Sequence, residues 1–312
     1  MTSRTLPAVE APEAWDSLHA RSELFTPALA VIAARHALDL SNIVRSARGT
    51  SPVFLARLYA VKLIPPPWVA ELAFEVAALE RAHGKLPVRT PAVVATGVID
   101  DWRYLVTEKI PGVSLREVLT QVSPRALVSI AERAGETLAA LHRVSCDGLA
   151  ALTPDWDAFA RERAEVCVAF QRKHKLGEDA LAAIPAILDQ GTPWVPDGRR
   201  GLLHADLHHE HVLLEARGDE WELTGVLDFG DTVVGHPEYD LITPAFFVAR
   251  GQPGASRALF EAAGFRCDER ASRRLMAWSV MHRYNALARF LDGAHDAAAL
   301  ESLRLRYWPV LA

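Results

Sequence analysis

The run His204-Ala205-Asp206-Leu207-His208-His209-Glu210-His211 packs four histidines and two carboxylates into eight residues. Imidazole and carboxylate groups ligate metals, move protons and orient hydroxyls for phosphoryl transfer. Three chemistries are therefore open: a metal cage, a hydrolase centre, or part of a phosphate-transfer machine. A zinc or di-metal hydrolase needs several ligands converging on one ion. On an extended loop, neighbours such as His208 and His209 are expected to point apart, and no second HxH or HExxH cluster occurs in the chain. That reading is the weaker one.

A second acid lies downstream. HVLLEARGDEWELTGVLDF reads as two apolar strands joined by the polar turn Arg217-Gly218-Asp219-Glu220, with Asp206 before the hairpin and Asp228 at its far end. A hairpin folds back on itself, so both carboxylates are expected near one cleft. Two acids so placed can bind Mg²⁺ and position a hydroxyl, which is what phosphoryl transfer requires.

Other elements must complete the machinery. FLARLYAVKL, from Phe54 to Leu63, follows the turn-like RSARGTSPV and reads as a β-hairpin, with Lys62 near the end of its second strand. Pro65-Pro66-Pro67 breaks the chain. WVAELAFEVAALERAHG then carries Val69, Leu72, Val76 and Leu79 at helical spacing before Gly84. PAVVATGVI and RYLVTEKI add two strands, giving a small sheet of four or five strands with one inserted helix. After Pro111-Gly112 the pattern turns to long amphipathic helices. Ser123 is placed as an N-cap with Pro124 at the first helical position, and Leu127, Ile130, Ala134, Leu138 and Leu141 mark a buried stripe. Further helices are expected near 155–174, 178–190, 241–250, 255–263, 270–291 and 294–306, and residues 1–20 are expected to fray. The tryptophans Trp194, Trp221 and Trp278 are assigned to the core.

Composition narrows the class. At 312 residues the chain can bury a real core, and 50% hydrophobic with 23% charged residues is ordinary globular usage. No apolar run reaches the ~20 residues of a membrane span, and the first residues, with Glu10 and Glu13, lack the features of a signal or transit peptide. No membrane partner and a cytoplasmic location are expected. Cys146, Cys167 and Cys267 are odd in number and show no CxxC, so neither a disulfide frame nor a cysteine-zinc site is suggested. A formal charge of -5 without a basic run speaks against nucleic acid.

The order of these features resembles the aminoglycoside phosphotransferase and choline-kinase group of small-molecule kinases, whose fold is similar to that of protein kinases. Their catalytic loop reads HGDLHxxN and is followed by a segment like IDFGDxxxGxPxYDLA. The counterparts are His204 to His208 and VLDFGDTVVGHPEYDL, from Val226 to Leu241, with the upstream VKL in the right order. The resemblance covers roughly residues 40–290. It implies an α+β, two-lobed protein-kinase-like fold. Residues 1–110 form a nucleotide-binding lobe with a small antiparallel sheet and one helix, and residues 111–312 a mostly helical lobe with the catalytic loop and substrate site.

Carried over position by position, the resemblance makes Asp206 the base or orienting acid for the acceptor hydroxyl and Asp228 the main metal ligand. Lys62 would hold the α- and β-phosphates and pair with Glu75. Glu71 and Glu80 are the other acids on that helix. RSARGTSPVF offers only Gly49, with Thr50 and Ser51 as donors to phosphate, and the backbone from Glu108 to Ile110 would meet adenine. Asp240 would brace the catalytic loop and His204 would pack it. Asp231 is left between contacting a cationic substrate and capping its own segment. His211 stands where the family has a metal-binding asparagine. An imidazole there either ligates through nitrogen, favouring Mn²⁺ or Zn²⁺ over Mg²⁺, or leaves the second metal position weak while Asp228 holds one Mg²⁺, or goes with nucleotide binding and poor turnover. The function implied is an ATP-dependent O-phosphotransferase acting on a small polyhydroxylated or amino-bearing molecule, an aminoglycoside-type or hygromycin-like antibiotic first. A kinase of choline, a sugar or an amino-acid alcohol stands behind it, as does a nucleotide-binding pseudokinase-like module.

Overall fold

Residues rich in β-branched and aromatic side chains between turn signals form a five-stranded antiparallel sheet in the computed structural model, which describes residues 4–9, 15, 18, 21–46, 49, 51–191 and 199–311. The chain divides into two units, Met1–His83 with Thr90–Pro111, and Gly84–Arg89 with Gly112–Ala312.

In the first unit the strands are β1 (Val44–Arg45), β2 (Val53–Leu55), β3 (Tyr59–Ile64), β4 (Val93–Ile99) and β5 (Trp102–Glu108), in spatial order β1-β2-β3-β5-β4. Lys62 lies on β3 and is paired across the ladder with Leu105. A helix, α1 (Thr26–His36), precedes the sheet and was not anticipated. Its buried Ala28-Leu29-Ile32 edge, with Phe25 just before it, packs with Phe54, Val61, Trp102 and Tyr104. The fraying expected of residues 1–20 does not hold for the part described. Leu6 and Val9 are buried, the Thr5 and Leu6 amides donate to Asp100, and the Trp102 indole donates to the Pro7 carbonyl. Between β3 and β4 sits α2 (Leu72–Ala82). It begins at Leu72 rather than Val69 because Pro66–Trp68 forms a 3-10 turn first.

The second unit is mainly helical. Its helices are α3 (Leu115–Val118), α4 (Pro124–Leu141), α5 (Trp156–Lys173), α6 (Glu178–Gly191), α7 (Ile242–Phe247), α8 (Pro253–Ala262), α9 (Glu269–Met281) and α10 (Ala297–Tyr307). Ser123 caps α4, accepting the Ala126 amide at 3.0 Å. Trp278 is fully buried and Trp221 half-buried on a strand, while Trp194 lies outside the described residues.

Two small β-sheets carry the motifs. β8 (Val212–Arg217) and β9 (Glu220–Val226) form the hairpin, flanked by β6 (Val113–Ser114). Gly218 takes φ +60° at the first central position of the two-residue turn, a conformation that favours glycine. β7 (Gly201–Leu203) pairs with β10 (Val233–Gly235) in the register Val233↔Leu203. That strand was not anticipated, and it sets the residues before β10 opposite those after β7.

The helix expected over 270–291 is corrected. α9 stops at Met281, and His282 leaves it with ψ 130°. Side chains take over the carbonyls at its end: Arg163 Nε donates to the Met281 carbonyl, and Gln171 Nε2 donates to those of Val280 and Asn285. With those acceptors satisfied, the backbone is free to turn.

Candidate active site

The catalytic-loop segment is pinned by one buried carboxylate. Asp240 accepts the His204 amide at 2.9 Å, the Ala205 amide at 2.7 Å and His142 Nε2 at 2.9 Å. Burial alone would raise the Asp240 carboxyl, but the His142 hydrogen bond and charge hold it below the usual carboxylate range. His204 Nε2 donates to the Leu227 carbonyl at 2.9 Å, tying the loop to the backbone before Asp228. The loop is also strained. Ala205 and Asp228 both take left-handed backbone, at φ +62° and +58°. The motif to which this loop is similar has glycine where Ala205 stands.

Hydrogen bonds assign the histidine tautomers. His211 Nδ1 lies 2.8 Å from the Asp206 carbonyl, which can only accept, so Nδ1 carries the hydrogen and the lone pair is on Nε2. That nitrogen lies 3.5 Å from Asp228 Oδ2. His208 Nδ1 accepts the Glu210 amide at 3.0 Å, so its hydrogen is on Nε2, 3.5 Å from Asp206 Oδ2. Burial, then the neighbouring histidines, lowers His208 to about 3, which keeps it neutral.

The loop is not extended as expected. The His208 amide donates to the Asp206 carbonyl and the His211 amide to that of His208, a tight turn that stacks the His208 and His211 rings with centroids 3.9 Å apart. One ligand atom from each of Asp206, His208 and His211 lies within 4.8 Å of the others, a spacing that suits a metal. In the hydrogen-bonded arrangement, however, His208 Nε2 and His211 Nδ1 both bear hydrogens. The lone pair available to a cation is on the other edge of His211, beside Asp228.

The acids crowd one another. Burial, then the charges of Asp231 and Asp228, pushes the Asp206 carboxyl up to about 8. A cation at Asp228 would relieve that repulsion, so the donor set of Asp228 oxygen and His211 Nε2 fits a divalent ion. Arg283, whose charge also reaches Asp206, puts Nη2 at 2.8 Å from Asp231 Oδ1, and the Tyr284 hydroxyl donates to the same oxygen at 2.8 Å. Asp231 therefore does not merely cap its own segment. Sequence reading did not find Arg283 or Tyr284, because it placed them inside a continuous helix.

In the first unit, Lys62 Nζ donates to both oxygens of Glu75, at 2.9 and 3.0 Å, and Glu75 is only 5% exposed. Glu71 and Glu80 are exposed. Ser51 is half-buried between β1 and β2, near Gly49 at φ +102°, while Thr50 lies outside the described residues. The Glu108 amide donates to the Ala92 carbonyl and the Lys109 amide to that of Leu58, so these main-chain donors are spent on the sheet. Ile110 is buried.

The sheet-bearing unit and the helical unit with its HxD and DFG segments define the fold of the protein-kinase-like small-molecule kinases. The model of the phosphotransferase enzyme family matches residues 43–278, and the chain belongs to that family. It is a small-molecule kinase by class. Solved structures share the fold at low identity. The GDP complex of aminoglycoside 2'-phosphotransferase-IIIa is 17% identical with a TM-score of 0.68, over 90% of this chain and 97% of that one. The streptomycin-ATP ternary complex of APH(2")-IIa is 19% identical with a TM-score of 0.57, over 91% and 98%. The apoenzyme of macrolide 2'-phosphotransferase MphH from Brachybacterium faecium is 21% identical with a TM-score of 0.53, over 91% and 99%. No helix among the described residues is long and apolar enough to cross a membrane.

Proposed function

We propose that the chain transfers the γ-phosphoryl group of ATP to a hydroxyl of a small polyhydroxylated molecule, with aminoglycoside-type or hygromycin-like antibiotics as the first acceptor class. The observation that carries this reading is the pair of acids at opposite edges of the His211 ring, with Asp206 Oδ2 3.8 Å from Nδ1 and Asp228 Oδ2 3.5 Å from Nε2. Asp206 aligns the acceptor hydroxyl and takes its proton. Asp228 and His211 Nε2 hold a divalent ion, Mg²⁺ or, given a nitrogen donor, Mn²⁺. Bound there, the ion supplies charge neutralisation for the phosphates.

Lys62, oriented by Glu75, carries the positive charge for the α- and β-phosphates, and the turn at Ser51 supplies further donors. With the amides of residues 108 and 109 engaged in the sheet, adenine contacts fall to the carbonyls from Glu108 onward and to Ile110. Residues 1–110 thus serve the nucleotide, and 111–312 the chemistry and acceptor. Nucleotide complexes among proteins of similar fold, and the antibiotics in their names, support both halves of this reading.

ADP release against a panel of aminoglycosides, choline and simple sugars, with Mg²⁺ and then Mn²⁺, tests it. At least one acceptor is expected to turn over, and Asp206→Ala is expected to lose roughly 10²–10⁴-fold in kcat. Nucleotide binding without turnover of any acceptor would replace the proposal with a nucleotide-binding regulatory module.

A further inference from the structure

An ammonium-binding cage combines a carboxylate with aromatic faces, because both attract a cation that has lost its water. Such a cage exists beside Asp206, and one of the protein's own side chains fills it. The Arg283 guanidinium lies over the Tyr284 ring at 5.0 Å and the Phe159 ring at 6.0 Å. Its Nη2 donates to the Asp231 carbonyl at 2.8 Å and pairs with Oδ1 at the same distance. The Tyr284 hydroxyl closes the arrangement by donating to Oδ1 at 2.8 Å. β10 begins two residues after Asp231 and pairs at Val233 with Leu203, three residues before Asp206, and the Asp231 charge acts on the Asp206 carboxyl.

We propose that Arg283 is a specificity-determining residue of the acceptor site. It plugs the Asp231-Tyr284-Phe159 cage with an internal cation, so the hydroxyl presented to Asp206 is one whose neighbouring carbons bear oxygen rather than ammonium groups. A substrate ammonium at that position would meet a carboxylate already neutralised, ring faces already covered and a guanidinium that repels it. A hydroxyl, carbonyl or carboxylate oxygen there finds a fixed donor instead. This deepens the kinase reading and rests on it: a polyhydroxylated acceptor can carry amines elsewhere, but not beside the reacting hydroxyl.

Two measurements test the proposal, one independent of turnover. Tetramethylammonium binding to the full chain is followed by saturation-transfer NMR. Arg283→Met is expected to bind the probe at least about tenfold more tightly than wild type, and adding Asp231→Asn is expected to abolish the gain. Equal binding by wild type and Arg283→Met, with thermal unfolding and nucleotide binding intact, overturns the plug. If Arg283→Met does not fold, Arg283→Gln, which removes the cation but can still donate to the Asp231 carbonyl, is read in its place. It should bind the probe more tightly than wild type, and no gain overturns the proposal. The second measurement maps the phosphorylated position of each acceptor that turns over, by ³¹P–¹H correlation. Phosphate on a carbon flanked by oxygen-bearing carbons supports the proposal, and phosphate next to an amine-bearing carbon overturns it. An absence of all turnover counts against the kinase reading alone, because the probe experiment still decides whether the cage is plugged.

Discussion

At position 211 an imidazole stands where the motif resemblance leads one to expect an asparagine, and its hydrogen bond decides what it offers. The Asp206 carbonyl fixes the hydrogen on Nδ1, leaving Nε2 for a cation beside Asp228. This is the arrangement by which an outer acceptor orients a metal-binding histidine. His211→Asn exchanges that nitrogen for an amide oxygen. The ratio of Mn²⁺- to Mg²⁺-supported activity is expected to fall by about tenfold or more. Metal titrations of steady-state rate would measure it, and an unchanged ratio would sink nitrogen ligation. The departure at 211 was legible in the sequence because the motif around it was. The tautomer was not, since it depends on a turn that stacks His208 on His211 rather than on residue type. Arg283 was illegible for a different reason: MAWSVMHRYNALARF keeps helical spacing throughout, and only the partners of Arg163 and Gln171 show where the helix ends.

Among the elements, hydrophobic pattern and punctuation served well where secondary structure was local. The β2–β3 and β8–β9 hairpins and the start of α4 followed from strand composition, turn residues and a capping serine. β10 was missed because Val233–Gly235 is too short to show a period, and its partner β7 lies far away in sequence. Close contact between helices was also invisible. α4 carries Gly135 in mid-helix, where alanine would be the better helix former by about 1 kcal/mol. In the structure a methyl group there would lie 2.3 Å from the Leu259 carbonyl oxygen and 2.9 Å from Ala262 Cβ, on α8. Gly135→Ala is therefore expected to destabilise by about 1–3 kcal/mol through overpacking, against its helix propensity. Urea denaturation gives the sign directly, and a stabilised variant would show that α8 moves aside at little cost.

For the whole molecule, the helical unit keeps histidines neutral where water cannot reach. His282 is fully buried, stacked on Tyr239 at 4.6 Å, and burial followed by the Arg283 charge lowers it to about 3. Below the ordinary value of 6.5 the unfolded chain takes up a proton at this residue that the folded chain refuses. The stability gained by keeping it neutral is full above that pH and is lost as the pH falls toward 3. His208 behaves in the same direction. His282→Gln is expected to flatten the pH dependence of unfolding free energy across this window by up to about 1.4 kcal/mol per pH unit. Denaturation at a series of pH values would read it, and parallel profiles for variant and wild type would refute it.

Asp240 carries a consequence of another kind. The loop at His204-Ala205, the end of α4 at His142 and the 3-10 turn Pro237–Leu241 share this one buried acceptor. They have no independent margins of tolerance. Loss of the Asp240 carboxylate would strand the two loop amides and His142 Nε2 at once, so three stretches far apart in sequence inherit a common point of failure.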